Sequence, residues 1–180
     1  MENINYQSEH NGSCAYLIEL KEGCTLLIVN NHLESYSLNS SEVEEYKGYI
    51  KKFKLTDLPQ QFLKVKRRLG PRLNQRAAIA KQVCMDIEQL QEKHQPEVTI
   101  VVGDLNDTPM SYTYSQLRSG LRDAYSETGL GLSTSFNERL MPFRIDHLFY
   151  EGKIKAIGSS IPKYKLYSDH NPLIVDFKWD

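Results

Sequence analysis

The chain opens with two apolar stretches, Cys14 to Leu20 and Thr25 to Asn30, parted by Lys21-Glu22-Gly23. A short glycine-containing connection between apolar runs predicts a β-hairpin. Ser41-Glu42-Val43-Glu44 is a capping-box pattern and predicts a helix running to about Phe53. The basic stretch Leu63 to Leu73 is broken by Gly70-Pro71, and a helix is expected only beyond it. From Asn74 to about His94, Ala77, Ala80, Val83, Cys84, Ile87 and Leu90 recur on one helical side, and Pro96 stops the pattern. Val98 to Val102 is a short β-branched run of the kind that forms a buried strand. A short helix is expected over Ser111 to Leu117. Further strands are expected at Ser133 to Phe136, Arg144 to Tyr150, Lys153 to Ser159 and Leu173 to Lys178. Helices interleaved with strands early, and strands later, predict a mixed α/β (α+β) fold with layered packing.

Length fits one domain over residues 1–180. The formal net charge is −1. A chain so nearly neutral has no broad field with which to gather nucleic acid, so a phosphate-bearing substrate must be bound by a local site. The same neutrality favours a solvated loop over a phosphate-backbone contact for Lys64 to Arg72. Arg76 is expected to pair with a nearby carboxylate. The 11 tyrosines are read first as packing groups, although Tyr112, Tyr114, Tyr164 and Tyr167 lie near polar motifs. Cys14, Cys24 and Cys84 form no CxxC pair, which points to reduced, buried thiols rather than a disulfide framework or a zinc site. No apolar run approaches the roughly 20 residues of a membrane span. Met1 to His10 is polar and shows no signal-peptide pattern, which leaves location open.

Four polar clusters adjoin strands: Asn30-Asn31-His32-Leu33-Glu34, Gly103-Asp104-Leu105-Asn106-Asp107, Arg144-Ile145-Asp146-His147 and Ser168-Asp169-His170-Asn171-Pro172. Any one alone is most simply a turn. Among them, His32 and His170, the strand-end aspartates Asp104, Asp146 and Asp169, and the amide of Asn106 are a set that phosphoryl chemistry can use. Carboxylates bind hard cations and orient water, and histidines stabilise charge on phosphoryl oxygens.

Gly103-Asp104-Leu105-Asn106-Asp107 resembles the GDFN motif of the endonuclease/exonuclease/phosphatase superfamily, and Ser168-Asp169-His170 its terminal SDH motif. Arg144-Ile145-Asp146-His147 resembles its RIDY motif, with His147 in place of Tyr. Asn31-His32-Leu33 resembles its T-x-H-L segment, with Asn in place of Thr. The four stand in the family's order. The resemblance implies a two-sheet β-sandwich flanked by helices, and metal-dependent hydrolysis of a phosphate ester with Mg²⁺ or Mn²⁺. It implies that Asp104 orients or deprotonates the attacking water, and that Asn106 holds that water and a phosphate oxygen. His170 would contact the scissile phosphate, Asp146 would fix the tautomer of His170, and His32 would assist on the phosphate or leaving-group side. Asp169, with Asp104, would help to hold the metal. The substrate class stays open among nucleic acid, phospholipid and small phosphate esters.

The family's early Asn and its metal-binding Glu have no counterpart here. Glu9 and Glu34 are poor substitutes. The chain is therefore expected to match roughly the last two thirds of a family domain, incomplete at the N-terminus. Strand edges left without neighbours predict self-association. The alternative to an enzyme is an inactive fragment or binding module that retains the fold.

Overall fold

Alternation of side chains along each strand decides which of two cores a residue enters. The computed structural model describes residues 2–4, 12–20, 23–35, 58–131, 133–136, 143–163 and 168–180. The helix expected near Ser41 lies outside these. Strand β1 is Glu2–Ile4, β2 Gly12–Glu19 and β3 Thr25–His32. The predicted hairpin forms, with β2 and β3 antiparallel and Glu19 paired to Thr25. Helix α1 spans Leu58–His94 and leads to β4, Val98–Asp104, which lies parallel to β3. Then come α2 (Tyr112–Leu117), β5 (Arg122–Asp123), α3 (Ala124–Thr128), β6 (Asp146–Gly152), β7 (Ile154–Ser160) and β8 (Ile174–Trp179). The larger sheet has the order β1-β2-β3-β4-β6-β5, and β7 and β8 form a second sheet.

On one face of the larger sheet, Leu27, Val29, Val101 and Phe149 pack against Val83, Ile87 and Leu90 of α1 and Tyr114 and Leu117 of α2. On the other face, Val98, Ile100, Leu148 and Tyr150 meet Ile154 and Ala156 of β7 and Val175 and Phe177 of β8. Strands covered on both faces read as continuous apolar runs, which is why Val98 to Val102 shows no polar alternation. The result is a mixed α/β fold of two sheets and helices.

Helix α1 runs through Gly70-Pro71 instead of starting after them. Proline removes one backbone hydrogen bond, here to the carbonyl of Arg67, and the Gln-, Lys-, Arg- and Leu-rich turns on either side favour helix strongly enough to continue through it. Lys93 and His94 in the last turn suit the negative end of the helix dipole. Gln95, at φ 44°, closes the helix by donating to the carbonyl of Gln91 before Pro96.

The strand expected at Ser133 to Phe136 is reduced to a single bridge between Phe136 and His170. Ser135 and Phe136 both donate to the carbonyl of Phe143 and so form a local tie, not a ladder. The three cysteines are free, as expected, but each is only half-buried. Among the described residues, no helix is long and apolar enough to cross a membrane.

Candidate active site

His32, Asp104 and Asp146 occupy one rung of the larger sheet. His32 is the register partner of Asp104 across β3 and β4, and Asp104 is the partner of Asp146 across β4 and β6. Their positions alternate in phase with Leu26, Ile100 and Leu148, so all three side chains leave the face that carries β7 and β8. His32 Nε2 lies 3.7 Å from Asp104 Oδ2. His170 closes the group from the turn before β8. Its Nδ1–H donates to Asp146 Oδ2 at 2.8 Å, and its Nε2 lies 4.0 Å from Asp104 Oδ2. One ligand atom each from Asp104, Asp146 and His170 lie within 4.8 Å of one another.

The strand ends are locked together. Gly103 has φ 141°, and a Cβ there would stand 1.8 Å from the carbonyl oxygen of Asn31. Only glycine allows β3 and β4 to approach this closely. Asn31 is buried and accepts a hydrogen bond from the Ser13 hydroxyl at 2.6 Å. Beyond the sheet, Leu33 N–H donates to the carbonyl of Asp104 at 2.9 Å, and Asn106 Nδ2 donates to the carbonyl of Leu33 at 2.8 Å. Asn106 adopts φ 49°, a left-handed conformation that asparagine tolerates. Its N–H donates to Asp104 Oδ1 at 2.7 Å. Burial raises the Asp104 carboxyl above the ordinary aspartate range. The negative charge of Asp146 adds to this, while the Asn106 N–H, His170 and His32 oppose it.

Asp146 and His170 share a mooring. The buried Ser135 hydroxyl accepts from the N–H groups of Ile145 and Asp146, each at 3.0 Å. The Ser135 carbonyl accepts from Asn171 N–H at 2.6 Å. The His170 ring packs on Phe136, with centroids 5.1 Å apart. On the opposite side of β6, buried His147 uses Nε2–H to bond the carbonyl of Asp107 at 2.9 Å and stacks on Phe149. Burial, helped by the charge of Arg144, pushes its pKa down to about 4.

A model described as "Endonuclease/Exonuclease/phosphatase family" matches residues 16–170. The chain belongs to this family. Endonuclease/exonuclease/phosphatase proteins are phosphoesterases and nucleases, and they generally use divalent metals. Solved structures agree on the fold. The human Nocturnin catalytic domain is 16% identical at TM-score 0.62, over 94% of this chain and 53% of its own. A mannosyl-6-phosphatase of Bacteroides thetaiotaomicron is 18% identical at TM-score 0.56, over 88% and 53%. D. rerio TDP2, complexed with a single-strand DNA product, is 15% identical at TM-score 0.57, over 98% and 65%. No curated protein matches by sequence. The chain thus spans about half the length of the first two of these structures.

Within the endonuclease/exonuclease/phosphatase frame, His32, Asp104, Asn106, Asp146 and His170 come together. Asp169 does not join the Asp104–Asp146–His170 group and is exposed. Glu34 accepts from Gln75 at 3.2 Å, and Glu9 lies outside the described residues. Arg76 does pair with a carboxylate, Asp107, at 3.0 Å. Tyr114 is buried and donates to Asp123 Oδ2 at 2.6 Å, whereas Tyr112 is exposed. Sequence reasoning missed Ser135, whose only signal was its place in a run of small polar residues.

Proposed function

We propose that this chain carries the hydrolytic centre of a metal-dependent phosphate-ester hydrolase. The observation that supports this reading is the rung His32–Asp104–Asp146 with His170 closing over it. A carboxylate raised by burial, flanked by two imidazoles, suits attack of water on phosphorus. Asp104 orients the water and takes its proton as the new P–O bond forms and the bond to the leaving group breaks. The Nδ1–H···Asp146 bond leaves Nε2 of His170 directed at the reacting centre. There it meets a non-bridging phosphoryl oxygen and the charge that develops on it. His32, on the far side of Asp104, serves the phosphate or the leaving group. Asn106 spends one amide hydrogen on Leu33, which fixes its side chain beside Asp104.

A divalent cation such as Mg²⁺ or Mn²⁺ fits the donor chemistry, because such ions take one or two carboxylates plus substrate oxygens. Asp104 and Asp146 would hold it. When bound it supplies charge neutralisation at the phosphoryl oxygens. The substrate is an ester of phosphate, and its other half is left open.

The test is turnover of bis(p-nitrophenyl) phosphate with Mg²⁺, with Mn²⁺ and with EDTA, beside His170→Ala. Metal-dependent turnover that His170→Ala abolishes is expected. A folded chain that hydrolyses nothing, with either metal, would sink the reading in favour of a fold retained for binding. Strand-edge self-association rests on β2, whose exposed Tyr16, Leu17 and Ile18 lie beyond the stretch that β1 pairs. A concentration-independent monomer by light scattering would refute it.

A further inference from the structure

Arg76 reaches both loops that carry the candidate site. It projects from α1 and is buried, at 4% exposure. Nη1 donates to the carbonyl of Glu34, two residues beyond His32. Nη2 donates to the carbonyl of Leu105 at 2.8 Å and of Asn106 at 3.3 Å, and to Asp107 Oδ2 at 3.0 Å. One planar guanidinium therefore ties the end of β3 to the end of β4 on the side away from the rung.

We infer that Arg76 is a positioning residue that sets the spacing between His32 and the Asp104–Asn106 turn. This rests on the hydrolytic reading of that turn. Asn106 N–H donates to Asp104 Oδ1, and the left-handed φ of Asn106 directs its own carbonyl, which is one of those that Arg76 holds. His147 holds the next carbonyl, that of Asp107, from β6. The turn is thus gripped from a helix and from a strand, and Arg76 adds a tie to Glu34 beside the two bonds that Leu33 already makes with Asp104 and Asn106. Lysine keeps the charge but not the fork, and its compact ammonium cannot serve Glu34 and Leu105 in one plane.

The experiment compares wild type with Arg76→Lys and Asp107→Asn, by native-state hydrogen exchange and by turnover of bis(p-nitrophenyl) phosphate with Mg²⁺. In Arg76→Lys, the amides of Leu33 and Asn106 are expected to exchange about tenfold faster, while those of Val29 and Val101 keep their rates. Turnover number is expected to fall about a hundredfold with KM little changed, the signature of a displaced reacting group. Asp107→Asn, which keeps the carbonyl contacts, is expected to change both far less. Unchanged exchange at Leu33 and Asn106 overturns the inference. So does acceleration that is uniform through the sheet, since that describes general loss of stability. A wild-type chain without turnover removes the hydrolytic reading, and the exchange pattern then still decides what Arg76 positions.

Discussion

Asp146 Oδ2 and His170 Nδ1 meet at 2.8 Å, one at the start of β6 in the larger sheet and the other in the turn that leads into β8 of the second. The contact fixes which ring nitrogen of His170 faces Asp104. Asp146→Asn keeps the shape but releases that choice. Turnover of bis(p-nitrophenyl) phosphate is expected to fall about a hundredfold or more, with thermal stability nearly unchanged. Equal turnover in the two proteins would remove Asp146 from the mechanism.

In the proposed mechanism, the raised carboxyl of Asp104 would give the pH–rate profile its acid side. A base at Asp104 works only when ionised, so kcat/KM is expected to rise with pH through its pKa. Burial, with the added charge of Asp146, raises this carboxyl in the metal-free protein. A cation held by Asp104 opposes that rise, so the limb is expected to move to lower pH as Mg²⁺ is added. Asp146→Asn removes one raising influence and is expected to move the residual limb to lower pH.

Stability should carry its own acid dependence through His147. The folded protein holds this ring neutral, with its pKa depressed to about 4, against about 6.5 in the unfolded chain. The unfolded state therefore binds the proton first. The contribution is fully present above the unfolded value, and about 3 kcal/mol is lost as pH falls from about 6.5 to 4. Urea midpoints across that window should show the slope. His147→Phe, whatever its absolute stability, should lack it.

Gly103→Ala is expected to unfold the sheet's active end or the whole chain. The added methyl meets the backbone of Asn31, which has no rotamer with which to yield, and the φ of 141° is strained for alanine. A cost of about 3 kcal/mol or more is expected in urea unfolding. A folded variant of near-normal midpoint would show that the strands are not this close.

Arg144 belongs to structure rather than to chemistry. It holds Asp123 through two bonds, at 3.2 and 2.7 Å, and both groups are buried. The pair holds Asp123 down to about 2, against the effect of its burial. Arg144→Met leaves that carboxylate buried without its cation, and about 3–5 kcal/mol of destabilisation is expected by urea unfolding. Asp123→Asn combined with Arg144→Met should recover much of the loss.

Local signals were legible where chemistry and periodicity agreed. The hairpin, the β-branched strand β4, the Ser111-capped helix and all four motif clusters lay on the surface of the sequence. The joining of His32, Asp104 and Asp146 on one rung was not, because register between distant strands leaves no local trace. Pro71 misled because proline's cost is one bond, which a long helix can absorb. Ser133 to Phe136 misled because its polar atoms moor β6 and the turn before β8 instead of building a ladder. The two-residue β5 and the five-residue α3 were too short for any period to declare them, although Asp123 caps that helix by accepting from Ser126 N–H at 3.1 Å.

The single rung has one more consequence. Each strand spells its share of the site by counting residues from the far end of the sheet, where Leu26 meets Val98 and Val98 meets Gly152. A substitution changes one letter of that message. One residue inserted or deleted within β3, β4 or β6 turns every later side chain of that strand to the opposite face. The candidate chemistry should therefore tolerate many changes of side chain along these strands, and almost no change in their length.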